Sequence, residues 1–470
     1  MLFPFKRSLL LSLSLLLLAM VSCSEDDNST TQSEPFVVAF ENLSANLSQI
    51  ENSTEIALVY STEASESGAI TINVQATNAV YGQDFITEPE MSGDLLSLPI
   101  TQGSNANGFT FTKLNPDLDE TTEIVFTITN VDHPASQIQG NTAFTINASA
   151  SLGRSFAPTL GGPNQQNQVF IDLSTETETT AQRDHWDLGF YSGAQFRVTI
   201  NGAIYMAAAE LESTNIDEIS EADVNELLGQ VAVGTFDPIN ENYIDHPDGD
   251  INKTAMAPVS ANLSENKVYL VNLGYEVGTE TPEPGSVAVA GEARGYKKIR
   301  VLREGDDYLL QFADLNDTNH QEILIEKSEG HNFTFFSFNT NSIVPIEPEA
   351  SNWDIVFTVF TNLIEGSGSY GFSDGVLHNR KGGVRSYEVL TSNGVAYNDF
   401  SLANLNASQL QQDQGTIGSN WRDVFDGVVF NDRFYIIEDP NGNHYKLRFL
   451  ALTNDNGIRG FPEFEYQLLQ

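Results

Sequence analysis

The feature that most constrains the fold is a strand pattern that occurs twice. His185-Trp186-Asp187-Leu188-Gly189-Phe190 is the first copy, and Ser351-Asn352-Trp353-Asp354-Ile355-Val356-Phe357 is the second. The second copy has apolar residues on both faces of its alternating pattern, which is typical of a strand inside a packed sheet. A buried Trp needs a partner for its N–H, and an adjacent Asp can accept from backbone donors at the start of the strand. The recurrence predicts an internal duplication.

Further landmarks recur in the same order after each copy. They are the turn signals Asn201-Gly202 and Asp374-Gly375, and the strand pattern Lys298-Ile299-Arg300 and Lys446-Leu447-Arg448. A period this long indicates a duplicated domain and not a solenoid. Residues 149–329 and 330–470 are therefore predicted to be two related β-rich halves.

The N-terminus has the pattern of a lipoprotein leader. Residues 1–22 carry Lys6 and Arg7 before a short apolar run, which is typical of a secretory signal and too short for a convincing membrane span. Val21-Ser22-Cys23 resembles a bacterial lipobox, which predicts lipidation of Cys23; the alternative is a free thiol in a discarded peptide. Residues 23–35 form an acidic flexible tether whose start resembles a surface-export tag. We expect an outer-membrane protein, lipid-anchored and facing the cell exterior.

Charge and cysteine content exclude several classes of protein. The formal net charge is −42, and nucleic acid would need clustered Lys and Arg, so nucleic-acid partners are not expected. Cys23 is the only cysteine, so intramolecular disulfides and Cys-based metal sites are excluded.

Residues 36–148 have the pattern of a separate β-sandwich, with short alternating strands and turn residues between them. The segments 79–85 and 119–126 resemble the Calx-beta module, a calcium-associated sandwich. That resemblance implies a possible calcium site at Asp84, Asp119 and Glu120, with Asp117 nearby, since hard cations prefer oxygen ligands. The alternative is a spacer whose carboxylates are solvated.

The fold class expected for the whole chain is all-β. An N-terminal β-sandwich precedes a large, internally duplicated, mostly antiparallel β domain with short helical insertions. The helical insertions are predicted near residues 213–231, where Ser220 is a candidate helix start, and near residues 402–412.

The duplicated region resembles the HmuY family of haem-binding lipoproteins. The resemblance rests on an ordered series in the second half: residues 353–357, 374–377, 382–384, 416–421, 434–437, 444–449 and 460–464. It implies a two-layered, largely antiparallel β-protein. It also implies capture of haem or a related porphyrin at the cell surface and delivery to a TonB-dependent outer-membrane receptor.

Haem ligands in that family differ between members, so candidates come from this sequence. Haem iron takes His, Met, Cys or Tyr, and its propionates favour Lys or Arg. His378 is followed by Arg380 and Lys381, in a chain with few cations, and Met206 holds the matching place in the first half. These four residues are the predicted haem-binding set. The alternatives are a hydrogen-bonded strand histidine at His378 and a packing role for Met206.

No catalytic motif is present, such as a Gly-x-Ser-x-Gly elbow, His-Glu-x-x-His or a Gly-rich phosphate loop, so an enzyme is not expected. A surface adhesin or glycan-binding lipoprotein on the same scaffold is the alternative function. Exposed aromatic side chains would favour it.

Overall fold

The computed structural model describes residues 35–47, 50–116, 118, 121–147 and 151–469. The predicted signal peptide, Cys23 and all but the last residue of the tether lie outside the described residues.

The first part of the chain is a β-sandwich. Its ten strands are β1 Phe36–Phe40, β2 Ser44–Asn46, β3 Ser53–Tyr60, β4 Gly68–Thr77, β5 Phe85–Glu88, β6 Leu95–Ile100, β7 Ala106–Lys113, β8 Glu123–Asp132, β9 Ser136–Ile138 and β10 Ala143–Asn147. They form two five-stranded sheets in the orders β5-β7-β3-β1-β9 and β2-β10-β8-β4-β6. Alternate side chains of both sheets fill one core, as expected where one face of each strand is buried. The predicted sandwich is confirmed.

The remaining strands form two repeats. The first repeat, residues 155–314, contains β11 Ser155–Phe156, β12 Asn167–Asp172, β13 Thr177–Gln182, β14 Leu188–Tyr191, β15 Val198–Ile200, β16 Ala207–Glu210, β17 Val268–Asn272, β18 Tyr275–Val277, β19 Ala290–Ala293, β20 Tyr296–Glu304 and β21 Asp307–Asp314. The second repeat, residues 321–468, contains β22 Gln321–Ile325, β23 Phe333–Ser337, β24 Ser342–Val344, β25 Ile355–Ile364, β26 Gly368–His378, β27 Arg385–Leu390, β28 Arg422–Asp423, β29 Val428–Val429, β30 Arg433–Glu438, β31 His444–Thr453 and β32 Arg459–Leu468.

The two repeats exchange their first three strands. β12 and β13 of the first repeat pair with β25 and β26 of the second, while β23 and β24 of the second pair with β14 and β15 of the first. β11 completes the sheet β32-β31-β30-β27, and β22 completes the sheet β16-β17-β20-β21. Each repeat therefore lacks sheet partners that only the other repeat supplies.

The two Trp-Asp pairs occupy equivalent places in this exchange. Trp186 and Trp353 are both buried. The Asp187 carboxylate accepts from the backbone N–H of Phe338, and the Asp354 carboxylate accepts from the backbone N–H of Leu173. Each Asp thus caps the end of a strand that belongs to the other repeat. The predicted duplication is confirmed, and the strand exchange adds what the recurrence did not predict.

The Asp374-Gly375 pair is not a hairpin turn. Asp374 lies inside β26, at a register irregularity in the pairing with β25, and has a φ of 52°. Arg422, Arg459 and Gln165 all contact its buried carboxylate, and these contacts fix the irregular backbone there. Asn201 corresponds instead to Asn379: each side-chain amide donates to the carbonyl of its repeat's buried Trp. By this count His378 corresponds to Ile200.

Helical structure in the described residues is short. The only α-helical turn there, α1, spans Glu221–Val224, with Ser220 and Asp223 forming the capping box. The 3-10 turns are Gly162–Asn164, Gly202–Ile204, Ile216–Glu218, Pro238–Tyr243, Leu263–Glu265, Thr391–Asn393, Tyr397–Asp399, Leu402–Asn404 and Ala407–Gln409. Both predicted insertions are therefore present, as single turns. Across the described ranges, no helix has the length and apolar character needed to cross a membrane.

Candidate functional site

A concave site lies between the two repeats and is lined by residues of both. This inter-repeat cavity has a volume of about 180 Å³. Its walls come from both repeats and are mainly apolar. The lining includes Phe170, Trp186, Phe333, Phe335, Trp353, Phe360, Met206, His246, Asp245, Glu347 and Lys381. A concave, mostly apolar site with a few polar groups is the usual form of a small-molecule or cofactor site.

Aromatic rings from both repeats line the cavity. Trp186 packs edge-on against Phe335 with ring centroids 4.8 Å apart, and Trp353 packs in the same way against Phe170 at 5.1 Å. Each Trp therefore contacts a Phe that belongs to the other repeat. Such edge-to-face pairs add about 0.5–1.5 kcal/mol beyond the burial of their area.

The two indole N–H groups differ. Trp186 Nε1 donates to Gln168 Oε1 at 2.8 Å. Trp353 Nε1 is buried and has no hydrogen-bond partner among the described residues. A buried donor without an acceptor costs about 1–3 kcal/mol, so an acceptor on a ligand in the cavity would be stabilised there.

Three titratable groups stand close together on the cavity wall. Burial raises the pKa of Glu347 to about 8, against the opposing effects of the Phe333 N–H and the charge of Lys381. Burial also raises the pKa of Asp245, and it lowers the pKa of Lys381, whose charge Glu347 and Asp245 favour. Glu347 is therefore mostly protonated at pH 7, and burial disfavours the charged form of Lys381.

A loop from the first repeat closes one side of the cavity. This covering loop, residues 244–254, is held by Arg380, whose guanidinium donates to the Asp248 carbonyl at 2.9 Å and lies 3.4 Å from an Asp250 carboxylate oxygen. The Gln414 amide donates to the Pro247 carbonyl at 3.1 Å. Residues of the second repeat thus fasten a first-repeat loop over the cavity.

Two side chains with iron-binding chemistry line the cavity. Met206 is fully buried at the end of the turn that follows Asn201. His246 lies on the covering loop, with its Nδ1 3.0 Å from Asp248 Oδ1 and 44% of its side chain exposed. His246 is not among the residues predicted from the sequence. Its signal was a histidine within the turn-rich segment 245–250, in a chain with seven histidines.

The structure brings together two of the four predicted haem-binding residues. Met206 and Lys381 line the inter-repeat cavity, and Arg380 holds its covering loop. His378 is not among the lining residues: the neighbouring Leu377 faces the cavity, and successive strand residues point to opposite faces. The buried His378 imidazole lies 2.9 Å from Ser386 Oγ, and burial lowers its pKa to about 3, so it is neutral. Its role as an axial ligand stays a prediction.

The calcium prediction for the sandwich also stays untested at most of its positions. Asp119 and Glu120, like Asp117, lie outside the described residues. Asp84 is described, and its carboxylate accepts from the Val80 backbone N–H and the Asn115 side chain. Within the described ranges, no group of three His, Cys, Asp or Glu residues is arranged to hold a metal ion.

Comparison with protein families explains the two repeats. The model of the family described as "HmuY protein" matches residues 164–323 and again residues 329–466. The chain belongs to the HmuY family. Because the family model matches twice, the exchanged pair of repeats in this chain is a tandem of two HmuY units. HmuY proteins are binding proteins of the cell surface.

Solved structures are similar to this chain over a shorter part of its length. The apo-form Calx CBD1 domain is 14% identical, with a TM-score of 0.20, and the match covers 24% of this chain and 97% of that domain. The CBD12 structure from CALX1.2 is 13% identical, also with a TM-score of 0.20, and covers 31% of this chain and 71% of that one. Among curated proteins, none matches this chain.

Proposed function

We propose that this protein captures haem or a related porphyrin in the inter-repeat cavity. The observation that carries the proposal is the cavity itself. In a chain of the HmuY family it is bounded by aromatic rings of both repeats and contains a thioether, an imidazole and an ammonium group.

The chemistry of the lining suits a porphyrin. The rings of Trp186 and Trp353, each with its partner Phe, offer an apolar lining for a flat macrocycle. Met206 and His246 carry the atoms that haem iron takes as axial ligands. The ammonium of Lys381 and the unpaired N–H of Trp353 are suited to propionate oxygens. When bound, the iron porphyrin would supply the Soret absorption by which occupancy is measured.

Titration of the purified protein with hemin tests the proposal. We expect a saturable Soret shift in the wild type and a different spectrum with weaker binding in Met206→Leu, which keeps the side-chain volume but removes the sulfur. His246→Ala should have a similar effect. A wild-type protein without a saturable shift, with either ferric or ferrous haem, would refute the proposal.

His378→Ala serves as the matched comparison for the ligands. If His378 is an axial ligand, its loss changes the Soret band and His246→Ala leaves the band unchanged. The opposite result assigns ligation to the cavity lining. Both results are readable only on variants that keep the wild-type tryptophan emission, because His378 is buried against Ser386.

Surface attachment and onward transfer belong to the same proposal. We infer that Cys23 carries the lipid anchor at the outer membrane and that the bound porphyrin passes to a TonB-dependent receptor. The support is the lipobox-like sequence and the cell-surface character of the family. One lipidated cysteine with additional signals is sufficient for stable membrane attachment. Transfer of Soret absorption from the loaded protein to vesicles holding a candidate receptor, and not to empty vesicles, tests the second step.

A further inference from the structure

Phe236 is an exposed aromatic residue in a strained conformation. Phe236 is 65% exposed, and its backbone φ is 57°. A bulky residue other than glycine rarely adopts the left-handed backbone conformation, because that conformation costs about 1–2 kcal/mol. An exposed ring gains little from packing to offset that cost, and strain of this kind is concentrated at binding sites.

The segment that carries Phe236 is fixed to the other repeat. The backbone N–H of Gly234 donates to the Ser369 carbonyl at 2.9 Å, and the Asn240 side chain accepts from the Ser369 N–H at 2.5 Å. Asn240 is fully buried. The exposed ring is therefore held at a defined place at the start of β26.

A continuous series of ring contacts leads from Phe236 to the inter-repeat cavity. The ring centroids of Phe236 and Tyr370 are 5.5 Å apart, those of Tyr370 and Phe372 are 5.9 Å apart, and those of Phe372 and Phe360 are 5.7 Å apart. Phe360 lines the cavity, while Tyr370 is 40% exposed. Phe236, Tyr370 and Phe372 are called the outer aromatic surface below.

We propose that the outer aromatic surface is a second, external binding site, at which a flat aromatic macrocycle stacks before it enters the inter-repeat cavity. The inference rests on the proposed function, because it takes the porphyrin as the ligand. Stacking needs only a π-face, so the anionic propionates can remain in water while the ring contacts Phe236 and Tyr370.

Such a site affects the rate of capture and not the final affinity. If the outer aromatic surface stabilises the rate-limiting transition state between free and fully bound porphyrin and not the bound state itself, its removal slows association and dissociation by the same factor. The equilibrium constant is then unchanged. We expect both rate constants to fall about three- to tenfold in Phe236→Ala and Tyr370→Ala, as the loss of one aromatic contact implies.

Stopped-flow mixing of the full-length protein with hemin measures association, and an excess of a haem-scavenging apoprotein measures dissociation. Phe425→Ala is the control, because Phe425 is 97% exposed in the turn between β28 and β29 and makes none of these ring contacts. Its rate constants should equal those of the wild type. Wild-type tryptophan emission in each variant confirms the fold.

Four results would overturn the proposal in different ways. Unchanged association in Phe236→Ala and Tyr370→Ala, with normal binding by the wild type, removes the outer site and leaves the proposed function intact. Faster dissociation with weaker affinity would place these rings in the final site. Retention of the wild type on a neutral polysaccharide matrix, lost in Phe236→Ala, would assign the surface to carbohydrate. Absence of any wild-type Soret shift refutes the proposed function and the outer site together.

Discussion

Replacing Arg294 by Met removes the cation that faces the buried carboxylate of Asp187. Arg294 Nη1 lies 2.6 Å from Asp187 Oδ1, and their side chains are 4% and 0% exposed. Removing one partner of a buried ion pair typically costs about 3–5 kcal/mol of unfolding free energy, because the remaining charge is uncompensated. Lys297 also favours the charged form of Asp187 and remains in the variant. We therefore expect a loss near the lower limit, about 3 kcal/mol.

The pH dependence of this loss follows from the same carboxylate. Burial raises the pKa of Asp187, and Arg294 opposes that rise. Without Arg294 the pKa in the folded state rises further above that of an unfolded Asp, about 3.9. The folded variant then keeps its proton to a higher pH than the folded wild type does, so the deficit grows as pH rises above the raised pKa of Asp187 in the wild type and shrinks as pH falls below it.

Urea denaturation monitored by tryptophan emission measures the effect. All three tryptophans, Trp186, Trp353 and Trp421, lie in the tandem repeats, so the signal excludes the sandwich. The matched control is the double variant Arg294→Met with Asp187→Asn, in which the amide oxygen can still accept from Phe338 N–H. It should recover more than half of the loss. A single variant within about 1 kcal/mol of the wild type at pH 7, or a double variant no better than the single one, would refute the ion-pair explanation.

Three further outcomes are expected. Asp354→Asn should reduce the loss of stability that the wild type shows as pH rises above about 4, because burial and the neighbouring Asp172 raise the pKa of Asp354 well above its usual range; urea curves at pH 4 and 7 measure this loss, and an equal loss in both proteins would contradict the explanation. Glu347→Gln should leave haem affinity unchanged at pH 7 and abolish a decline above pH 8, where ionised Glu347, with its pKa of about 8, would repel propionates; equal declines in both proteins would contradict this. Cys23→Ser should no longer partition with the outer membrane in cell fractionation, and unchanged partitioning would refute lipidation at Cys23.

The sequence predicts that the chain contains two related repeats, but it does not predict which strands of the two repeats pair with each other. The spacing of Trp186 and Trp353 predicts two related units, because similar local sequences form similar local structure. It does not say whether β12 pairs within its own repeat or with β25 of the other, since both choices bury the same apolar residues. Only the register of β12 with β25 and of β14 with β23 shows the exchange.

The sequence also predicts only some of the residues that line the inter-repeat cavity. His378 was selected for its chemistry and its neighbours, yet the alternation of β26 turns Leu377 toward the cavity and His378 away from it. Lys381 was selected on the same grounds and does line the cavity, because the chain has left the strand by that point. His246 comes from a loop with no periodicity, so nothing in the pattern could place it at the site.

The exchange of strands gives one chain the arrangement that two identical subunits with exchanged strands would have. The two repeats differ in sequence, so the arrangement lacks the exact symmetry of a homodimer. In a homodimer every substitution at the shared axis appears on both sides at once. Here each side mutates alone: Arg294 faces Asp187, while Asp354, at the equivalent place, lies beside Asp172. Met206 and Val384 also occupy equivalent places: the Met206 N–H donates to the Asn201 carbonyl, and the Val384 N–H donates to the Asn379 carbonyl. Because both repeats belong to one chain, the residues that each repeat contributes to the cavity can differ in chemistry. Such a cavity can bind an asymmetric ligand.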